Sequence, residues 1–190
     1  MATPRQMFDH TLDAIKGWFH MAALDYTAKL SSNVTVTTVY AGRCVHLNSS
    51  GEFELGCTGS QMPIFLLQNS DDNDVANSGG TTWYPIGPTG TLTGLVAKGA
   101  YELETTEFDS ANTYAPNEFL RCKSSSNSST DGGLLTNASV VTLENSTSLS
   151  GSTNPTAVVG VVSRGVRKRQ SDRNNVLAFW PIYKPGKTGY

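Results

Sequence analysis

Charge is what this chain has least of. Asp, Glu, Lys and Arg make up 16% of its 190 residues, against about a quarter in an ordinary soluble domain. The two signs nearly cancel, leaving a net charge of −2. A surface so balanced has no general attraction for nucleic acid or for an anionic membrane, and neither is expected as a partner. Cysteine is also scarce. Cys44, Cys57 and Cys122 are odd in number, far apart and without a Cys-x-x-Cys pair. That pattern disfavours a disulfide framework or a zinc site and suggests small, reduced, buried residues; a Cys44–Cys57 bridge stays open. Long apolar runs are missing too. No stretch has the length of a membrane span or of a secretory leader, so synthesis in a cytoplasm is expected. The five Asn-x-Ser/Thr sequons, beginning at Asn33, Asn48, Asn127, Asn137 and Asn145, are what so polar a chain throws up by chance.

Catalytic and cofactor motifs are lacking as well, and no cofactor is expected. Gly186-Lys187-Thr188 echoes the end of a phosphate-binding loop. The first glycine of that motif would fall on Pro181, however, and too little chain follows to build the helix that would hold a phosphate. Asp71-Asp72-Asn73-Asp74 lacks the glycine and distant glutamate of a calcium loop. His10, His20 and His46 have no metal-ligand spacing, and there is no Gly-x-Ser-x-Gly elbow. Glu102, Glu104, Glu107 and Asp109 form an acidic cluster. Residues two apart share a strand face, so this reads as a solvated face rather than a catalytic pair.

What fills the chain is Ser, Thr and Asn, 20, 22 and 13 of them, with 18 Gly. Thr favours strands, and the others favour turns. The fold class that follows is mainly β, an antiparallel β-sandwich or β-barrel with an N-terminal helical arm. The arm is residues 1–30, and 31–190 form a single β-rich domain. In the arm, Thr3-Pro4-Arg5-Gln6 looks like a helix start, and Phe8, Leu12, Ile15 and Phe19 recur at helical spacing. After it come short strand candidates about ten residues apart: 34–40 and 43–47, which alternate, then 52–55, the apolar run 62–68, 92–97, 101–104, 118–122 and 140–143. Pro85 marks Trp83–Ile86 as an edge strand. Residues 123–133 read as a mobile Ser-rich loop.

The chain is organised around its closing segment. Ala157–Val162 and Val176–Tyr183 are rich in β-branched and aromatic residues and too apolar for one-sided burial. They predict the central antiparallel hairpin of the core. Between them lies the one unusual charge feature: Arg164, Arg167, Lys168, Arg169 and Arg173, five of the fourteen basic residues within ten positions. This is either a solvated hairpin tip that discourages edge pairing or a docking surface for an acidic partner.

Several strings carry a resemblance. They are 39–48 (Val-Tyr-Ala-Gly-Arg-Cys-Val-His-Leu-Asn), 62–66, 94–97, 101–108 (Tyr-Glu-Leu-Glu-Thr-Thr-Glu-Phe), 114–117, 159–165 and 177–183 (Leu-Ala-Phe-Trp-Pro-Ile-Tyr). Together they resemble a group of tailed-bacteriophage virion structural proteins, most closely capsid decoration (cement) proteins. The resemblance implies a non-enzymatic β-body, made in the host cytoplasm and located on the virion capsid surface. It also implies that the body binds the assembled major capsid protein shell and itself, as a dimer or trimer. On that reading the basic residues Arg164, Arg167, Lys168, Arg169 and Arg173, and the apolar stripe Phe8, Leu12, Ile15 and Phe19, are partner-binding. The alternative is a tail or head-fibre component whose β-sandwich binds a glycan receptor, with Trp83, Tyr84 and Tyr114 as stacking platforms.

Overall fold

The computed structural model describes residues 12–16, 25–58, 61–70, 91–96, 102–138 and 157–184. Its eleven strands are β1 (Leu12–Lys16), β2 (Asp25–Lys29), β3 (Cys44–Leu47), β4 (Phe53–Leu55), β5 (Ile64–Leu66), β6 (Thr91–Val96), β7 (Glu102–Thr105), β8 (Phe119–Cys122), β9 (Leu135–Thr136), β10 (Val158–Lys168) and β11 (Asn175–Lys184). They form two sheets. One has six strands in the order β1-β7-β11-β10-β8-β9, and the other has five in the order β2-β6-β5-β3-β4. Every named strand pair is antiparallel. The mainly-β expectation holds.

Period-two alternation explains how the sheets stack. Cys44, Phe65 and Leu95 of the five-stranded sheet join Leu103, Leu120, Cys122, Leu135, Val159, Val162, Leu177 and Phe179 of the six-stranded sheet in one buried core. The Phe65 and Phe179 rings meet across it, centroids 5.2 Å apart and tilted by 56°. The alternate residues Val45, Phe53, Leu55, Ile64, Leu66 and Leu92 point the other way into a second core, where Leu30, Val34 and Val36 pack against them. The five-stranded sheet therefore packs apolar side chains on both faces, which is why its middle strand β5 reads as a continuous hydrophobic run.

The closing hairpin lies where the sequence puts it. β10 and β11 are the middle strands of the six-stranded sheet. Its polar connection is shorter than expected, because β10 continues through Lys168 and carries Arg164 and Arg167 into the sheet. The turn itself is closed by Arg169 N–H to Asn174 O at 2.8 Å and Arg173 N–H to Arg169 O at 2.9 Å, with Arg173 at φ +62°.

Two expectations are corrected, and a third lies mostly outside the described residues. Residues 34–40 alternate but form no ladder. They run over the outer face of the five-stranded sheet, held by Thr35 N–H to Asn127 O and Val39 N–H to Ser70 Oγ; here alternation reflects one-sided packing rather than strand pairing. The Ser-rich stretch 123–133 is a set of anchored turns. Asn127 Oδ1 accepts the Leu55 amide at 2.8 Å, and Gly133 O accepts the Cys44 amide at 3.0 Å. Finally, the helix expected in the N-terminal arm falls mostly outside the described residues, Phe8 and Phe19 included. Its two described pieces are strands. Leu12 and Ile15 lie in β1, paired along β7, and Asp25–Lys29 pairs along β6. A short isolated helix is marginal in water, whereas a free sheet edge offers backbone partners at once. The expected strands at 83–86 and 140–143 lie outside the described residues.

Candidate functional site

The acidic cluster and the basic segment, some sixty residues apart in sequence, are each other's partners. On β7 the inward residue is Leu103, so Glu102 and Glu104 take the opposite face, as the alternation requires. They are not solvated there: Glu102 is 1% exposed and Glu104 is 0%. β11 is the neighbour of β7, and it sets Ala178 beside Glu104. The small Ala178 side chain leaves room for arginines from β10, one strand further on, to reach across. Register shifts in β10 at Val162/Arg164 and Arg164/Arg167 aim those side chains.

Arg164 grips Glu102 in a two-pronged fork, Nε to Oε1 and Nη2 to Oε2, both at 2.9 Å. Ser163 Oγ donates to the same Oε1. Arg167 Nη2 donates to Glu104 Oε2. Arg169, 1% exposed and the bulkiest fully buried side chain among the described residues, places Nε 3.9 Å from Glu104 Oε1 and 3.5 Å from Asp172 Oδ1. The fork geometry favours arginine over lysine at these positions. Glu102, through its hydrogen bonds and its charge, raises the Arg164 pKa still further, so this cation is permanent.

The rest of the cluster is matched in the same way. Glu107 Oε2 accepts from Arg43 Nε at 2.8 Å, and Arg43 Nη1 donates to Gly132 O. Asp109 lies 3.3 Å from Lys123 Nζ, which also reaches Asp131 at 3.2 Å. All four carboxylates, read from sequence as a solvated face, thus have internal cations. The arrangement fixes structure: each of these carboxylates is paired with a cation from another part of the fold. Among the described residues no group of three His, Cys, Asp or Glu side chains could hold a metal ion.

The expected partner-binding residues divide accordingly. Arg164, Arg167 and Arg169 are committed to Glu102 and Glu104, and Arg169 is not on the surface at all. Lys168 and Arg173 are exposed. Phe8 and Phe19 lie outside the described residues, and Leu12 and Ile15 sit in the edge strand β1. Of the aromatics named as stacking platforms, Trp83 and Tyr84 lie outside the described residues. Tyr114 is buried, with its hydroxyl 2.8 Å from Asp109 O and 3.3 Å from Leu135 O and its ring edge-on to Phe108. An open groove of about 310 Å³ runs beside it, lined by Phe108, Asn112, Thr113, Val166 and Asn175 among others.

One surface feature went unread in the sequence. Phe119, Val161 and Trp180 are direct cross-strand neighbours on β8, β10 and β11. Phe119 and Val161 are half-buried and Trp180 is 38% exposed. Only the pairing reveals this row. Comparison of the chain with protein-family models, with curated proteins and with solved structures gives no match.

Proposed function

We propose that this chain is a non-enzymatic virion structural protein, a decoration protein that binds the assembled major capsid protein shell of a tailed phage and stabilises it. The observation that carries the reading is where the resembling strings fall. They contain all of β3, β5 and β7, half of β6 and most of β10 and β11, so the likeness is one of body rather than of loops. The internal pairing of the acidic and basic clusters supports a rigid body of this kind. A protein that binds the closed shell and not its free subunits stabilises the shell by mass action, and repeated shell positions favour a homo-oligomer. On this reading the exposed cations Lys168 and Arg173 are the part of the basic segment available to an acidic shell surface.

The test is co-sedimentation of the purified full chain with empty shells across a salt series. Saturable pelleting is expected, weakening as salt rises. A Lys168→Ser, Arg173→Asn double variant, which leaves the paired arginines in place and keeps a side chain tolerant of positive φ, should bind less and show a flatter salt dependence. Absence of pelleting at low salt would overturn the proposal. Unaltered binding by the double variant would remove these two residues from the contact.

A further inference from the structure

Cys44, Cys57 and Cys122, far apart in sequence, come together in one buried core. Cys44 opens β3 of the five-stranded sheet and Cys122 closes β8 of the six-stranded sheet. The backbone draws these two strand ends together through residues 133–135. Cys44 N–H donates to Gly133 O at 3.0 Å. Gly133 sits so close that a Cβ there would lie 2.4 Å from the Cys44 carbonyl oxygen. Two residues on, Leu135 is the cross-strand partner of Cys122. Within the core Cys122 lies near enough to Cys44 to add to the effect of burial in raising the Cys44 pKa, and among the described residues the Cys44 Sγ has no closer hydrogen-bond partner than Val45 O at 4.0 Å. Cys57 is near, but its Sγ donates to Gln61 O at 2.8 Å, within its own loop.

We propose that Cys44 and Cys122 close into a disulfide that staples the two sheets when the protein meets an oxidising thiol–disulfide pool, while Cys57 remains a thiol. The oxidant is a small disulfide such as oxidised glutathione. One cysteine thiolate attacks it, forming a mixed disulfide and releasing one glutathione. The second thiolate then displaces the other glutathione. Two protein thiols lose two hydrogens, and one glutathione disulfide becomes two glutathiones. Burial raises the pKa of both Cys44 and Cys57 and keeps them protonated. Exchange therefore runs through opening of the junction at Gly133 and proceeds slowly, on the scale of minutes to hours. The closed bond spans much of the middle of the chain and so restricts the unfolded ensemble strongly.

The experiment holds the full chain in a glutathione redox buffer, quenches it with acid, alkylates it under denaturing conditions and reads intact mass and a peptide map. The expected product lacks two hydrogens, joins the Cys44 and Cys122 peptides and carries one alkyl group, on Cys57. Its thermal midpoint rises by several degrees and falls back on reduction. Cys57→Ala keeps the cross-link and the shift, and Cys44→Ala loses both. Mapping the wild-type chain gives the answer even if a variant folds poorly. A disulfide containing Cys57, or three alkylated cysteines after prolonged incubation at a denaturant level that opens the junction, overturns the proposal.

Discussion

Glu104 carries the clearest residue-scale consequence. Its carboxylate is fully buried, and its stability there rests on Arg167 and Arg169. Removing one partner of a buried pair leaves the other charge uncompensated, at a cost of about 3–5 kcal/mol. Glu104→Gln keeps the shape and deletes the charge, so it should lower the unfolding free energy by about that amount in denaturant titration. Lys168→Ser, at an exposed cation a residue away from Arg167, should stay within about 0.5 kcal/mol. Comparable losses in the two variants would mean the buried pairing contributes nothing special. The sequence did disclose that Glu102 and Glu104 share a face, because alternation is local. It did not disclose that the face is covered, because the covering arginines arrive from some sixty residues downstream. A useful signal was present: in a chain so poor in charge, one compact acidic cluster and one compact basic cluster are candidates for each other.

Among the elements, the hairpin β10–β11 was legible because its composition and period are strong and its two strands adjoin in sequence. The segment 123–133 was not. Serine and asparagine look the same in sequence whether they face water or cap a backbone, and here Asn127 and Gly133 tie the segment to β4 and β3. Gly133 tests this. At φ +77° an L side chain is already strained, and its Cβ would also strike the Cys44 carbonyl. Gly51 has nearly the same φ, +76°, with nothing within 4 Å of its would-be Cβ. Gly133→Ala should therefore cost more than about 1 kcal/mol and clearly more than Gly51→Ala, read from denaturant midpoints. Equal costs would show that the close approach does not matter. The strand at 12–16 was not legible for a different reason. Leu12 and Ile15 satisfy helical spacing, but a five-residue window cannot reveal that an open strand edge is waiting for it.

At the scale of the molecule, one short N-terminal stretch contributes an edge strand to each sheet, β1 to the six-stranded and β2 to the five-stranded. A deletion of residues 1–30, the natural probe of an arm, therefore exposes two edges at once. The expected outcome is a lower thermal midpoint and greater aggregation, followed by differential scanning calorimetry and light scattering. A deletion protein that melts like the intact chain would mean those strands add nothing to the body, and any lost shell binding could then be assigned to the arm directly.

The irregular β10 bears on how this protein avoids folding wrongly. A smooth hairpin can slide by two residues and keep every side chain on its original side. Here such a slip would pull Arg164 out of its fork with Glu102 and drag Arg167 off Glu104, stranding like and unlike charges in a dry layer. The offsets at Val162/Arg164 and Arg164/Arg167 and the arginine forks thus work as a key with one lock. Mispaired hairpins are penalised when β7, which carries both glutamates, docks on them.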